Sequence, residues 1–146
     1  MHEPLLLSVR ELRCGYGGKP VLQGVDLDVS AGEIVAVIGR NGVGKSTLIK
    51  ALIGLLPADA GSIRFHGAEI NAVAPHRRAR LGIGYVPQGR DVFPRMSVEE
   101  NLAVGEAIGG GSTADYERLY RSFPILWERR RQVAGTMSGG QQQQLA

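Results

Sequence analysis

The sequence predicts an α/β fold with an antiparallel β layer at its N-terminal end and a helical subdomain toward its C-terminal end, on three observations. Residues 33–38 form a short apolar, β-branched run that passes through a glycine-rich loop into 46–56, where Leu48, Leu52, Ile53 and Leu56 recur at helical spacing. A second apolar run, 81–86, closes on Pro87-Gln88-Gly89. From Ser97 onward the apolar residues keep helical spacing, behind Ser-x-x-Glu and Ser-x-x-Gln helix starts.

Taken in order, residues 5–13 alternate in part and read as a strand ended by the turn cluster Gly15-Tyr16-Gly17-Gly18, and 21–29 read as its antiparallel neighbour. Residues 33–38 have the composition of a strand buried on both faces. Gly54 to Pro57 terminate the helix that follows, and glycines bound a short strand over 61–67. Pro75 opens a short helix to Arg80, and the strand expected over 81–86 puts Gln88 at the C-terminal edge where open α/β sheets bind ligands. Ser97 with Glu100 forms a capping box. Thr113 precedes Tyr116, Leu119, Tyr120 and Phe123 on one helical face, Pro124 resets that helix, and 125–131 read as a further short turn. Ser138 with Gln141 repeats the capping box and so builds a second helix start able to hold an anion. The expected organisation has 1–88 as β layer and glycine-loop core and 89–146 as the helical subdomain.

With 146 residues, 43% hydrophobic and 21% charged, the chain has the length and composition of one globular domain with a substantial core. The formal charge is only +3. Arginines cluster at 77, 78, 80, 90, 95 and 129–131, but no aromatics interleave within 77–80 or 129–131, so they read as solvated helix faces and loop edges and not as a nucleic-acid surface. Cys14 is the only cysteine, which excludes an intrachain disulfide and suits a reducing compartment. The first residues lack the basic start of a secretion signal, and no run approaches the roughly 20 apolar residues that cross a bilayer. His66 and His76 stand apart from other metal-ligating residues.

Gly39-Arg40-Asn41-Gly42-Val43-Gly44-Lys45-Ser46 fits the pattern G-x-x-x-x-G-K-[ST], the Walker A loop, with an apolar run before it and a helix after it, as the pattern requires. Glycines 39, 42 and 44 allow backbone conformations barred to residues with a Cβ, so that successive N–H groups turn inward around a phosphate. Lys45 is then placed for the β and γ phosphates and the Ser46 hydroxyl for Mg²⁺, a hard ion that keeps oxygen ligands. Asn41 and Thr47 complete the nucleotide-contacting set. The bland alternative, a glycine turn that happens to contain Lys-Ser, leaves the flanking strand and helix patterns unexplained. For Tyr16, the residues alone leave two readings open, a base-stacking platform or a ring covering the sheet edge.

Tyr16 in its glycine turn, the Walker A loop, Gln88 after its apolar run, and Met137-Ser138-Gly139-Gly140-Gln141 together resemble the ATP-binding cassette family of transporter ATPases, over essentially the whole chain. That resemblance implies a P-loop NTPase fold with ATP and Mg²⁺ as cofactors. By position it gives Tyr16 the adenine and Gln88 the Mg²⁺ and attacking water; Ser138 and Gly140, in a signature shared with Gly139 and Gln141, meet the γ-phosphate of ATP held by an opposite subunit. Met137 stands where the family usually has leucine, a volume-conserving exchange. The runs 85–94 and 96–102 look like the cassettes that drive import of branched-chain amino acids and of urea or short amides, and Gln141 to Gln144 lean toward the urea type.

The implied partners are a second cassette subunit, identical or not, transmembrane permease subunits, and indirectly a periplasmic solute-binding protein, at the cytoplasmic face of the membrane; nucleic acid is not among them. The family places its Walker B Asp, catalytic Glu and switch His later than Ala146, and no apolar run ending in Asp-Glu occurs between Gln88 and Ala146. The resemblance thus implies an N-terminal fragment, truncated after the signature and inactive alone. The Walker B and switch strands of the resembled fold lie between 33–38 and 83–86, so these two runs are expected to lack neighbours. A rival expectation is a nucleotide-binding or interaction module without hydrolysis. The absence of a long coiled coil between the two motifs disfavours a chromosome-maintenance ATPase, and the absence of Asn-Lys-x-Asp disfavours a small GTPase.

Overall fold

The computed structural model describes residues 5–89, 91–109 and 113–146. Arg90, within the run that carries the narrower resemblance, and the first four residues lie outside them. The chain divides into two compact units, Met1–Ile83 and Gly84–Ala146.

In the first unit, β1 (Leu5–Tyr16), β2 (Lys19–Ser30), β3 (Ala60–Phe65) and β4 (Ala68–Glu69) form one antiparallel sheet in the order β2-β1-β3-β4. β1 is the long central strand and runs three residues past the expected end. Its interior breaks strict alternation because the pairing slips between Val9 and Leu12, where Glu11 takes φ 48° and its N–H donates to Asp26 Oδ1 at 2.7 Å. A bulge of this kind re-phases the pleat, so Val9, Leu12 and Cys14 are all buried. Gly61 of β3 passes so close to the bulge that a Cβ there would lie 2.4 Å from the Glu11 carbonyl oxygen.

The helix α1 (Lys45–Leu52) covers this sheet. Leu48 and Ala51 join Val9, Leu12, Cys14, Leu22, Ile63 and Ile70 in one core. Each large aliphatic side chain buried there contributes about 1.5–3 kcal/mol. The short helix α2 (Pro75–Arg80) starts on its proline, as expected.

Two expected strands are absent. Residues 33–38 and 83–87 are extended or irregular, with no ladder bonds among the described residues. Ile34 and Ile38 are 96% and 91% exposed, and Val35, Val37, Tyr85 and Val86 are exposed as well. The physical reason is that a parallel-sheet strand exists only through lateral partners, which sequential hairpins cannot supply. Gln88 therefore lies in a turn, not at a strand end.

The second unit is helical: α3 (Val98–Gly109), α4 (Thr113–Ser122), α5 (Pro124–Glu128), a 3₁₀ turn (Ala134–Thr136) and α6 (Gly139–Leu145). Val98, Leu126, Ala134, Met137 and Leu145 form its core, with Leu102, Leu119 and Tyr120 packed against it. Met137, at 6% exposure, fills an apolar core position. Phe123 falls just outside α4, as the residue capping α5, and is exposed. No helix among the described residues is long and apolar enough to cross a membrane.

Candidate functional site

The first unit builds a glycine-rich loop that runs into α1. Gly42 and Gly44 take φ 84° and 106°, values that favour glycine, and Gly44 is the residue preceding α1. A Cβ on Gly44 would come within 2.9 Å of Leu22 Cδ2 and 3.3 Å of Val21 Cγ1, so glycine also lets the loop lie directly against β2. A Cβ on Gly42 would meet nothing within 4 Å. No side chain caps α1; its first bond runs from the Leu48 N–H to the Gly44 carbonyl at 2.9 Å. The N–H groups of the first turn are left for an external acceptor, and the helix dipole adds partial positive charge there.

Lys45 folds back over the loop, donating from Nζ to the carbonyls of Gly39 at 2.6 Å and Arg40 at 2.7 Å. Its ammonium is held within reach of the space that the loop encloses. Gly39, Asn41 and Ser46 are exposed while Thr47 is buried at 6%, so the Ser46 hydroxyl faces the same side as solvent and Thr47 anchors the helix. The arrangement suits a polyphosphate: uncapped N–H donors, one cation held over the loop by carbonyls that a phosphate can replace, and one exposed hydroxyl. Mg²⁺ fits through Ser46 only with oxygens from the nucleotide, because the described residues include no cluster of three or more His, Cys, Asp or Glu side chains able to hold a metal.

Tyr16 is in the same unit, half exposed at the β1–β2 turn where Gly17 and Gly18 take φ 56° and 76°. Leu22, which Gly44 abuts, pairs with Cys14, two residues before Tyr16. Two strand residues span roughly 7 Å of backbone.

Gln88, Ser138, Gly139, Gly140 and Gln141 belong to the second unit, whereas the loop and Tyr16 belong to the first. Gln88 is exposed. Ser138 caps α6 as expected: its Oγ accepts from the Gln141 N–H at 3.4 Å, and the Ser138 N–H donates to Gln141 Oε1 at 3.0 Å. Gly140 is exposed, with nothing within 4 Å of a Cβ position.

This helix start is tied to the segment after Gln88. The N–H groups of Gly135 and Ala134 donate to the carbonyls of Pro94 and Met96, both at 2.9 Å, and Gln142 Nε2 donates to the Ala134 carbonyl at 3.0 Å. Asn101 brackets the same segment, accepting from the Phe93 N–H at 2.7 Å and donating to the carbonyls of Phe93 and Ser97 at 3.1 and 2.8 Å.

Sequence reasoning passed over two residues. Asn101 falls in the run 96–102 that carries the narrower resemblance, but nothing local marks its side chain as bracketing residues 93–97. Arg78 was grouped with solvated arginines, yet it is 3% exposed and donates to four backbone carbonyls. Its polar type in a run of arginines hides that burial; Pro75 three residues earlier is the only local sign that a helix is held there.

The sequence profile described as "ABC transporter" matches residues 22–146. A "High-affinity branched-chain amino acid transport ATP-binding protein" of Pseudomonas aeruginosa is 44% identical over 97% of this chain and 61% of its own length. A "Probable branched-chain amino acid transport ATP-binding protein" of Archaeoglobus fulgidus is 38% identical with the same coverage. A "Lipopolysaccharide export system ATP-binding protein" of Escherichia coli is 35% identical over 95% of this chain and 59% of its own. Among solved structures, one described as "Structure of ATP binding subunit of ABC transporter" superposes with a TM-score of 0.85 at 36% identity, over 96% of this chain and 59% of the other. The chain thus spans about three-fifths of the length of these relatives. With its P-loop architecture, its uncapped glycine loop and these matches across nearly its whole length, the chain belongs to the ABC transporter family of ATPase domains.

Proposed function

We propose that residues 1–146 are the nucleotide-gripping part of an ATP-binding subunit that powers a membrane importer. The observation that carries this is the loop 39–47, where Gly44 lies against β2, α1 has no side-chain cap and Lys45 Nζ is held over the loop carbonyls. Phosphate oxygens replace those carbonyls as acceptors for Lys45, the first-turn N–H groups surround the chain of phosphates, and Tyr16 stacks on the base. Mg²⁺, when bound, neutralises phosphate charge and is met by Ser46 and by Gln88. Ser138, Gly139, Gly140 and Gln141 serve the γ-phosphate of a nucleotide held by a second cassette subunit. The test is a direct titration with Mg-ATP, expected to saturate at one site per chain and to weaken on Lys45→Ala.

The solute class is branched-chain amino acids or urea and short amides. Support comes from the runs 85–94 and 96–102 and from the names of the two relatives at 44% and 38% identity; that a lipopolysaccharide exporter's subunit stands at 35% keeps the coarser statement separate. Partners are permease subunits at the cytoplasmic face of the membrane, served by a periplasmic solute-binding protein, with 88–102 as the coupling region. Val92 and Met96 are half-buried, so crosslinks to a permease are best sought from cysteines at Phe93 and Arg95, both exposed. A nucleotide-binding module without turnover describes what residues 1–146 do alone, since no carboxylate motif follows Gln88. Phosphate release that depends on Lys45 in this chain would overturn that part.

A further inference from the structure

Arg78 makes no ion pair among the described residues, although only 3% of it is exposed. Its guanidinium is spent on backbone carbonyls: Nε donates to Val73 at 2.8 Å, Nη1 to Ala51 at 2.9 Å and Leu52 at 2.8 Å, and Nη2 to Asn71 at 3.0 Å. Ala51 and Leu52 are in the last turn of α1, at the negative end of the helix dipole; the Ala51 carbonyl also accepts from the Gly54 N–H at 3.1 Å, while the Leu52 carbonyl has no backbone partner among the described residues. Gly54, at φ 82°, keeps the approach open, since a Cβ there would fall 2.9 Å from Nε.

Asn71 extends the clamp to the sheet. Its Oδ1 accepts from the Ile63 N–H at 2.7 Å and its Nδ2 donates to the Gly61 carbonyl at 2.9 Å, both on β3. A continuous polar connection therefore runs from β3 through Asn71 and Arg78 to the C-terminal end of α1. The helix is about 12 Å long and rigid, so holding one end sets the direction of the other. That other end carries Lys45, Ser46 and Thr47 and the uncapped N–H groups.

We propose that Arg78 is a positioning residue for nucleotide binding, pinning the far end of α1 to β3 through Asn71 so that the first-turn N–H groups and Lys45 stay aligned on the phosphates. The proposal rests on the ATP reading of the loop.

The experiment measures Kd and stoichiometry for Mg-ATP, with melting temperature beside them, on the 146-residue chain and five variants: Arg78→Lys, Arg78→Met, Asn71→Ala, Val9→Ala and Lys45→Ala. Arg78→Lys keeps the charge but not the fork, Asn71→Ala cuts the link to β3 and leaves the guanidinium in place, and Val9→Ala weakens the core that α1 and β3 share while leaving every hydrogen bond of the clamp in place. Arg78→Lys and Asn71→Ala are expected to raise Kd roughly threefold to tenfold at unchanged stoichiometry, with Arg78→Met at least as damaging. Val9→Ala is expected to lower the melting temperature and leave Kd alone. Arg78→Lys and Asn71→Ala that behave like Val9→Ala, melting earlier with the parent Kd, would overturn the proposal and leave Arg78 a purely structural residue. Equal binding by the parent chain and Lys45→Ala is a different result, which removes the ATP reading and the proposal with it.

Discussion

Lys45 shows how one side chain serves the loop before any ligand arrives. With its ammonium on the Gly39 and Arg40 carbonyls, the charge is oriented and the loop held in shape, so binding exchanges acceptors and need not order a free lysine. Gly44 is equally constrained. Alanine there meets both the left-handed backbone and Leu22, and Gly44→Ala is expected to cost at least about 1–3 kcal/mol, read as a lower thermal midpoint together with weaker ATP binding. Tyr16 tests stacking separately from phosphate grip: Tyr16→Ala is expected to weaken ATP by about 1 kcal/mol, while Tyr16→Phe and Tyr16→Trp stay near the parent value. Equal damage from all three would assign the role to the hydroxyl and not to the ring.

Among the elements, α3 and α6 begin on reciprocal capping boxes, and both were visible in the sequence because Ser-x-x-Glu and Ser-x-x-Gln are local chemistry. Ser97→Ala is expected to cost about 1 kcal/mol of helix stability. The Ser97 N–H, donating at 2.7 Å to Glu100, and the Ser97 side chain hold the Glu100 carboxyl below its ordinary range. A depressed carboxylate pKa contributes stability above the unfolded value, and that contribution fades as pH falls through the lower folded value. Melting curves should accordingly show the parent losing its advantage over Glu100→Gln as the pH drops below about 4. What was not legible is long-range. The bulge that buries Val9, Leu12 and Cys14 together depends on β3 passing at Gly61, and Arg78 is buried only because α1, residues 71–73 and Gly54 converge on it. Neither condition leaves a local trace. The runs 33–38 and 81–86 carry strand composition, but composition cannot provide the neighbour that makes a strand.

For the whole molecule, two satisfied cores coexist with apolar runs that have no cover. Ile34 and Ile38 are almost fully exposed, outside any strand, and their N–H and C=O groups have no backbone partner among the described residues, the features that template edge-to-edge association. The chain is expected to associate as its concentration rises, and Ile34→Lys with Ile38→Lys to reduce that association, as sedimentation over a concentration series would show; a monomer at all concentrations would mean that these runs are covered in solution. The nucleotide loop lies on the ordered sheet and α1, so binding should survive at concentrations too low for association. The most direct measurement is therefore a fluorescence titration of the submicromolar chain with a labelled ATP in the presence of Mg²⁺, for the parent and for Lys45→Ala. Saturable binding that weakens at least about tenfold in Lys45→Ala, roughly 1.4 kcal/mol, is the predicted result; identical curves for the two proteins would contradict the account.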